Sequence, residues 1–161
     1  MSQPATREDA SGAFARLIRG IPVAMLTTTG LGRLRSRPMV TQQAAFDGHL
    51  WFVTARGAGK TGEIRDRQHV HVTFVSPDDD RYVWASGTAA IVDDPAMLRT
   101  LWHAGYEPWF PGGPGDPSIA LIKVRVEEAE YWDRRAGRMV PLVGLVEAGT
   151  SFHDLEPGTG I

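Results

Sequence analysis

Apolar residues in this chain recur mainly at every second position, and the helical spacing of three to four appears only in short stretches. Thr6 followed three residues later by Asp9 has the form of a capping box, and Phe14, Leu17 and Ile18 then share one helical face, predicting a first helix from Arg7 to Arg19. "IPVAMLTTT" is rich in strand formers and stops at Gly30 and Gly32. "RLRSRPMVTQQAAF" then alternates as one long second strand, closing a hairpin. Asp47-Gly48 in "FDGHLWFVT" is the pair favoured in two-residue hairpin turns, so the third strand is expected beside the second, as a meander. A short helix near Lys60 to Arg67, the strand "HVHVTFVS", a polar "PDDDR" turn and the long strand "RYVWASGTAAIVD" follow. Asp94 as N-cap and Pro95 at the first helical position open a helix with Leu98, Leu101 and Trp102 on one face. "PGGPGDPS" reads as a loop and "IALIKVRVEEAEYWD" as a sixth strand running through a bend, with a Gly-rich tail carrying one short helix around Val140 to Ala148. The pattern predicts a mainly β (α+β) protein, a small antiparallel barrel with flanking short helices rather than a parallel sheet wrapped in helices.

Composition narrows this further. A length of 161 residues predicts a single domain, 1–161, with its core in about residues 20–134 and a C-terminal tail over 136–161. A formal net charge of −2 supplies no overall field for a nucleic-acid backbone, so any anion site has to be local. The absence of cysteine excludes disulfides, thiolate metal ligands and cysteine nucleophiles. The polar N-terminus lacks the apolar core of a signal peptide, and no apolar run approaches the roughly 18 residues of a membrane helix, so a cytoplasmic protein without membrane partners is expected.

The segment "FVTARGAGKTGEIR" resembles the end of a nucleotide-binding P-loop, but Thr54 stands where its first glycine is required, and the loop follows a hairpin strand. An NTPase is therefore not expected. Taken alone, Gly57, Gly59 and Lys60 could equally form an ordinary flexible connection ending in a solvated lysine. Upstream, Arg33, Arg35 and Arg37 occupy alternate positions and form a basic stripe on one strand face. Such a stripe is also what a solvent-facing sheet surface would show. Pro38 places that segment at a sheet edge or bulge, with backbone free to meet a ligand. An arginine fork there, with Thr54 and Lys60 at the end of the next strand, offers the charge and donors a phosphate monoester needs. His69 and His71 share a strand face but have no third metal ligand nearby in sequence, and no metal is expected. Trp51, Trp84, Trp102 and Trp132 read as core or interface residues, and "WASGT" lacks the glycine of a nucleophile elbow.

"RSRPM", "DGHLWFVTARGAGKTGEI", "RYVWASGTAAIVDDPAMLRTLW" and "WFPGGPGDPSIALIKVRVEEAEYWD" occur in the order seen in the general stress protein 26 family, a branch of the pyridoxamine phosphate oxidase-like flavin-binding proteins. The resemblance covers roughly residues 20–134 and implies a six-stranded split barrel that forms a homodimer with FMN held between subunits. It implies that Arg37 and Lys60 reach the FMN phosphate, that Pro38 and Met39 lie along the ring, and that Val53 and Thr54 contact ring and phosphate. It also implies that Trp109 approaches the cofactor from the partner subunit. An FMN-dependent oxidoreductase with no assigned general acid or base is the expected function. A non-catalytic flavin binder or sensor is the alternative, and a deazaflavin or heme in the same cleft is a further one. Oxidation of pyridoxamine phosphate itself is not expected, since no arginine follows Arg138 and His153 stands alone.

Overall fold

A computed structural model describes residues 6–42, 45–142 and 145. Helix α1 (Arg7–Ile18) starts at Thr6, whose hydroxyl accepts from the Asp9 amide at 3.2 Å while the Asp9 carboxylate accepts from the Thr6 amide at 3.0 Å. Both halves of the sequence-read capping box are therefore formed. Strands β1 (Val23–Gly30) and β2 (Arg33–Val40) pair antiparallel from Val23 opposite Val40 to Gly30 opposite Arg33. Between them Leu31 and Gly32 have φ of 51° and 71°, the double left-handed geometry of a two-residue hairpin turn. Leu31 is 93% exposed, so its side chain gains nothing from burial while its backbone bears the left-handed cost. Leu31→Asn is expected to stabilise the protein by about 1 kcal/mol and raise the melting temperature by about 2–4 °C in a thermal melt.

The second strand is shorter than its sequence pattern suggests. Thr41 donates its amide to Pro22 O at 3.0 Å and its hydroxyl to Ile21 O, and the proline has no N–H with which to continue the ladder. Strand β3 (His49–Ala55) then pairs with β6 (Ile119–Asp133), from His49 opposite Arg125 to Ala55 opposite Ile119, and the expected meander does not form. Asp47 does make turn chemistry, but its carboxylate accepts from the His49 amide at 3.0 Å, while Gly48 O accepts from Val126 N at 3.1 Å. The Asp-Gly pair thus steers the chain into pairing with β6 instead of back along β2.

Helix α2 (Gly59–Asp66), β4 (His69–Ser76), β5 (Arg81–Val92) and α3 (Pro95–Leu101) complete the frame, with Asp94 accepting from Met97 N at 2.9 Å as the N-cap of α3. A short strand β7 (Arg138–Pro141) hydrogen-bonds to the end of β6. It replaces the start of the helix expected around Val140 to Ala148, because a turn over residues 134–137 folds the chain back onto a free strand edge. Residues 143–144 and 146–148 of that expected helix lie outside the described residues.

The strand order is β2-β1-β4-β5-β6-β3, all antiparallel, with β7 beside β6. The two end strands, β2 and β3, come back alongside each other without a shared ladder, so the barrel is split at that seam. Inside lie Leu26, Phe52, Val72, Phe74, Ile122 and Val124, with Phe14 of α1 packed on Phe46 and Phe74 at 4.7 and 6.1 Å between ring centroids. Trp51 and Val53 point to the other face of β3, where Leu98 and Leu101 of α3 and Tyr106 cover them. That second cluster forms one wall of the seam.

Candidate functional site

The seam holds a cleft of about 380 Å³. Pro38, Met39 and Val40 of β2 and Val23 of β1 form one side, Val53, Thr54 and Ala55 of β3 the other, and Lys60 of α2 closes one end. Tyr106, Trp109 and Phe110, from the segment after α3, form the remaining wall. Six of the seven residues singled out in the sequence, Pro38, Met39, Val53, Thr54, Lys60 and Trp109, therefore line one cavity. Trp109 lines the cleft of its own chain and is 73% exposed.

The seventh residue, Arg37, stands behind the cleft and is already engaged. Its Nη1 donates to Thr28 Oγ1 at 2.5 Å and its Nη2 to Glu63 Oε2 at 2.9 Å. Thr28 also donates to Glu63, and Arg35 Nη1 stands 3.8 Å from Glu63 Oε1. The Thr28 hydrogen bond holds the Glu63 carboxyl below the usual carboxylate range, against burial, with Arg37 and Arg35 adding to it. The basic stripe is thus bound to a helix carboxylate at two of its three members. Gly30 makes this possible, since a Cβ there would lie 2.9 Å from Glu63 Cγ.

Lys60 differs from Arg37. Among the described residues it makes no hydrogen bond and no ion pair, and burial lowers its pKa, helped by the Arg37 charge and opposed by Glu63. A half-buried ammonium without a hydrogen bond or ion pair is costly for the empty cleft and offers charge to an anion. Thr54 adds a second unmet group: it is 2% exposed and its Oγ1 has no hydrogen-bond partner among the described residues. Helix α2 begins at Gly59 with no side chain capping it, one residue before Lys60, so the positive end of the helix lies beside that lysine in the chain. The remaining walls are apolar, which suits a flat, poorly hydrated ring.

The P-loop likeness has no structural basis. β3 is antiparallel to its neighbour, α2 spans eight residues, and the Thr61 hydroxyl donates to Arg56 O and Ala58 O of its own loop rather than facing a ligand. His71 stacks on Trp84 with ring centroids 5.1 Å apart, and burial lowers its pKa against the pull of Glu128. Among the described residues no group of three or more His, Cys, Asp or Glu is placed to hold a metal ion, and no helix is long and apolar enough to cross a membrane.

Sequence reasoning missed Glu63, Tyr106 and Phe110. Glu63 follows Lys60 at the i+3 spacing that puts two side chains on one helix face, a signal that could have found it. Tyr106 had no such signal, because it lies in a 3-10 turn beyond the end of α3.

The family described as Pyridoxamine 5'-phosphate oxidase like matches the chain over residues 9–154. Protein bli-3 of Neurospora crassa is 31% identical over 121 residues, 67% of this chain and 57% of that protein, so the chain spans little more than half of that relative's length. The general stress FMN/FAD binding protein of Xanthomonas citri superposes with a TM-score of 0.67 at 25% identity, covering 78% of this chain and 89% of that one. General Stress Protein 26 of Bacillus anthracis gives a TM-score of 0.70 at 24% identity over 81% of this chain and 97% of that one, which shows a shared fold.

Proposed function

Because this chain belongs to the pyridoxamine 5'-phosphate oxidase like family, we propose that its seam cleft binds FMN and that the protein is a homodimeric FMN-dependent oxidoreductase. The observation that carries this reading is the unmet Lys60 ammonium and buried Thr54 hydroxyl at one end of a cleft with apolar walls. A terminal phosphate carries a charge of about −1.5 to −2 at neutral pH and three strong acceptor oxygens, which suits that end. When bound, the flavin supplies hydride or electron transfer that no side chain in the cleft can perform.

The chain's own residues bind and orient. Lys60 and Thr54 hold the phosphate, while Arg37, held by Thr28 and Glu63 through one Nη1 and one Nη2 hydrogen, adds a fixed positive charge beside it. Pro38, Met39 and Val53 line the ring. β2 ends the sheet, so its outer backbone edge has no ladder partner among the described residues and is open to the ring's polar edge. Tyr106, Trp109 and Phe110 exclude water from the other side.

A second copy of the chain fits the outer face of the sheet. Val23, Met25, Val75 and Tyr82 leave large apolar side chains there 46%, 40%, 44% and 37% exposed. Val23 also lines the cleft, so a partner seated on that face would adjoin the cofactor.

Titration of the purified protein with FMN, followed by absorbance and flavin fluorescence, tests the binding, and light scattering tests the dimer. Bleaching of the bound flavin by NADH or NADPH supports an oxidoreductase. Binding without reduction by any donor would favour a protein that stores or senses the flavin. No binding would refute the flavin reading.

A further inference from the structure

We infer that the Tyr106 hydroxyl is a ligand-binding group of the cleft, donating a hydrogen bond to an oxygen of the bound flavin nucleotide. This rests on the flavin reading of the same cleft and extends it to a residue on a different element from any phosphate-binding or ring-lining side chain named so far.

Tyr106 is 2% exposed and its ring packs in the cluster with Trp51, Val53, Leu98 and Leu101. His103 and Trp102 flank that ring at 4.3 and 5.5 Å between centroids, which holds its position. Its hydroxyl oxygen is shut off from water and has no hydrogen-bond partner among the described residues, although the residue lines the cleft. Buried tyrosine hydroxyls usually find a partner, because one without it gives up its hydrogen bonds to water for nothing. Thr54, across the same cleft, has the same unmet hydroxyl. Two residues that line one cavity thus carry unpartnered hydroxyls, beside a lysine that makes no ion pair among the described residues. Burial pushes the Tyr106 pKa up to about 12, so the group keeps its proton and can donate throughout the working pH range.

Tyr106→Phe removes the oxygen and leaves the ring, and its signature is a pair of opposed effects. In the ligand-free protein the melting temperature should hold or rise slightly, since an unpartnered buried hydroxyl is removed. FMN affinity should fall about 10-fold, and the FMN-induced rise in melting temperature should shrink with it. Riboflavin, which lacks the phosphate, locates the contact. A loss with FMN alone places the hydroxyl on the phosphate, and an equal loss with both places it on a ribityl or ring oxygen. Either result supports the inference. Unchanged affinity for both ligands in the variant, with wild-type protein binding FMN, would overturn it while leaving the flavin reading intact. A ligand-free variant that melts several degrees lower would also overturn it, as the mark of a purely structural role. Wild-type protein that takes up no FMN would overturn both.

Discussion

Gly87→Ala is expected to cost about 3–5 kcal/mol of stability and to lower the melting temperature by about 10 °C. A Cβ at Gly87 would lie 1.9 Å from Arg125 O and 2.9 Å from Arg125 C, distances that no rotamer change relieves, since both atoms are backbone. The approach is close because of a bulge. Ser86 is opposite Glu128 and Gly87 opposite Val126, so Glu127 is the extra residue on β6, held by Thr88 Oγ1 donating to its carboxylate at 2.5 Å. Besides β5, the strand serves two further partners: the first half of β6 pairs with β3 and the last four residues with β7. Adding the methyl therefore strains the junction that sets β3, and with it Val53 and Thr54, against the seam. Gly62→Ala makes the same chemical change in open space on α2 and is expected to stabilise by about 0.5–1 kcal/mol, because alanine loses less backbone entropy than glycine in a helix. Thermal melts of the two variants should move in opposite directions. A Gly87→Ala protein that melts with the wild type would show that the two backbones are not in contact.

What could be read from the chain in advance follows the range over which each feature is determined. The Thr6–Asp9 box, the Asp94-Pro95 start of α3 and the edge position of β2 announced by Pro38 are each set within a few residues, and each stands in the structure as read. The partner of β3 is not set that way. Asp47-Gly48 has the same local chemistry whether it closes a hairpin or bends a strand toward β6, and the choice is made by pairing with residues some seventy positions later, where Ile119 to Arg125 complete the ladder. The end of β2 is similar: "TQQAAF" keeps a strand-like alternation, but Thr41 is taken by Ile21 and Pro22. At the cleft, the stripe of alternating arginines was legible as geometry. Its use was not, because Glu63 reaches Arg37 only once α2 packs against β1 over the bare Cα of Gly30. Two residues that looked alike in sequence, Arg37 and Lys60, thereby acquire different roles, one bound internally and one left open.

That difference leads to a second expected result: Lys60→Ala should weaken FMN binding by about 1.5–3 kcal/mol, roughly 10- to 150-fold, without destabilising the ligand-free protein. The truncation removes the open cation and nothing that Lys60 holds within the protein, since it has no hydrogen bond or ion pair among the described residues. Its charge is a liability in the empty cleft, where burial and the neighbouring Arg37 charge lower its pKa, so the ligand-free variant should melt at or slightly above the wild type. Arg37→Ala should behave in the opposite sense on stability, because it deprives Thr28 and a poorly exposed Glu63 carboxylate of their main cation, leaving Arg35 at 3.8 Å and the Lys60 charge, which is not ion-paired to it. The pH dependence has a definite sign. A bound phosphate favours the charged lysine and raises its pKa above the lowered value of the empty cleft, so protons are taken up on binding at high pH. FMN affinity should then be level between the second phosphate pKa of about 6 and the Lys60 pKa of the free protein and fall as pH rises through the latter toward 10.5 and beyond, and Lys60→Ala should abolish that upper fall. Riboflavin separates charge from shape, because it keeps the ring and lacks the phosphate: the variant should bind it as the wild type does. Equal losses for FMN and riboflavin, or a pH profile unchanged by the substitution, would place the phosphate away from Lys60 and refute the assignment.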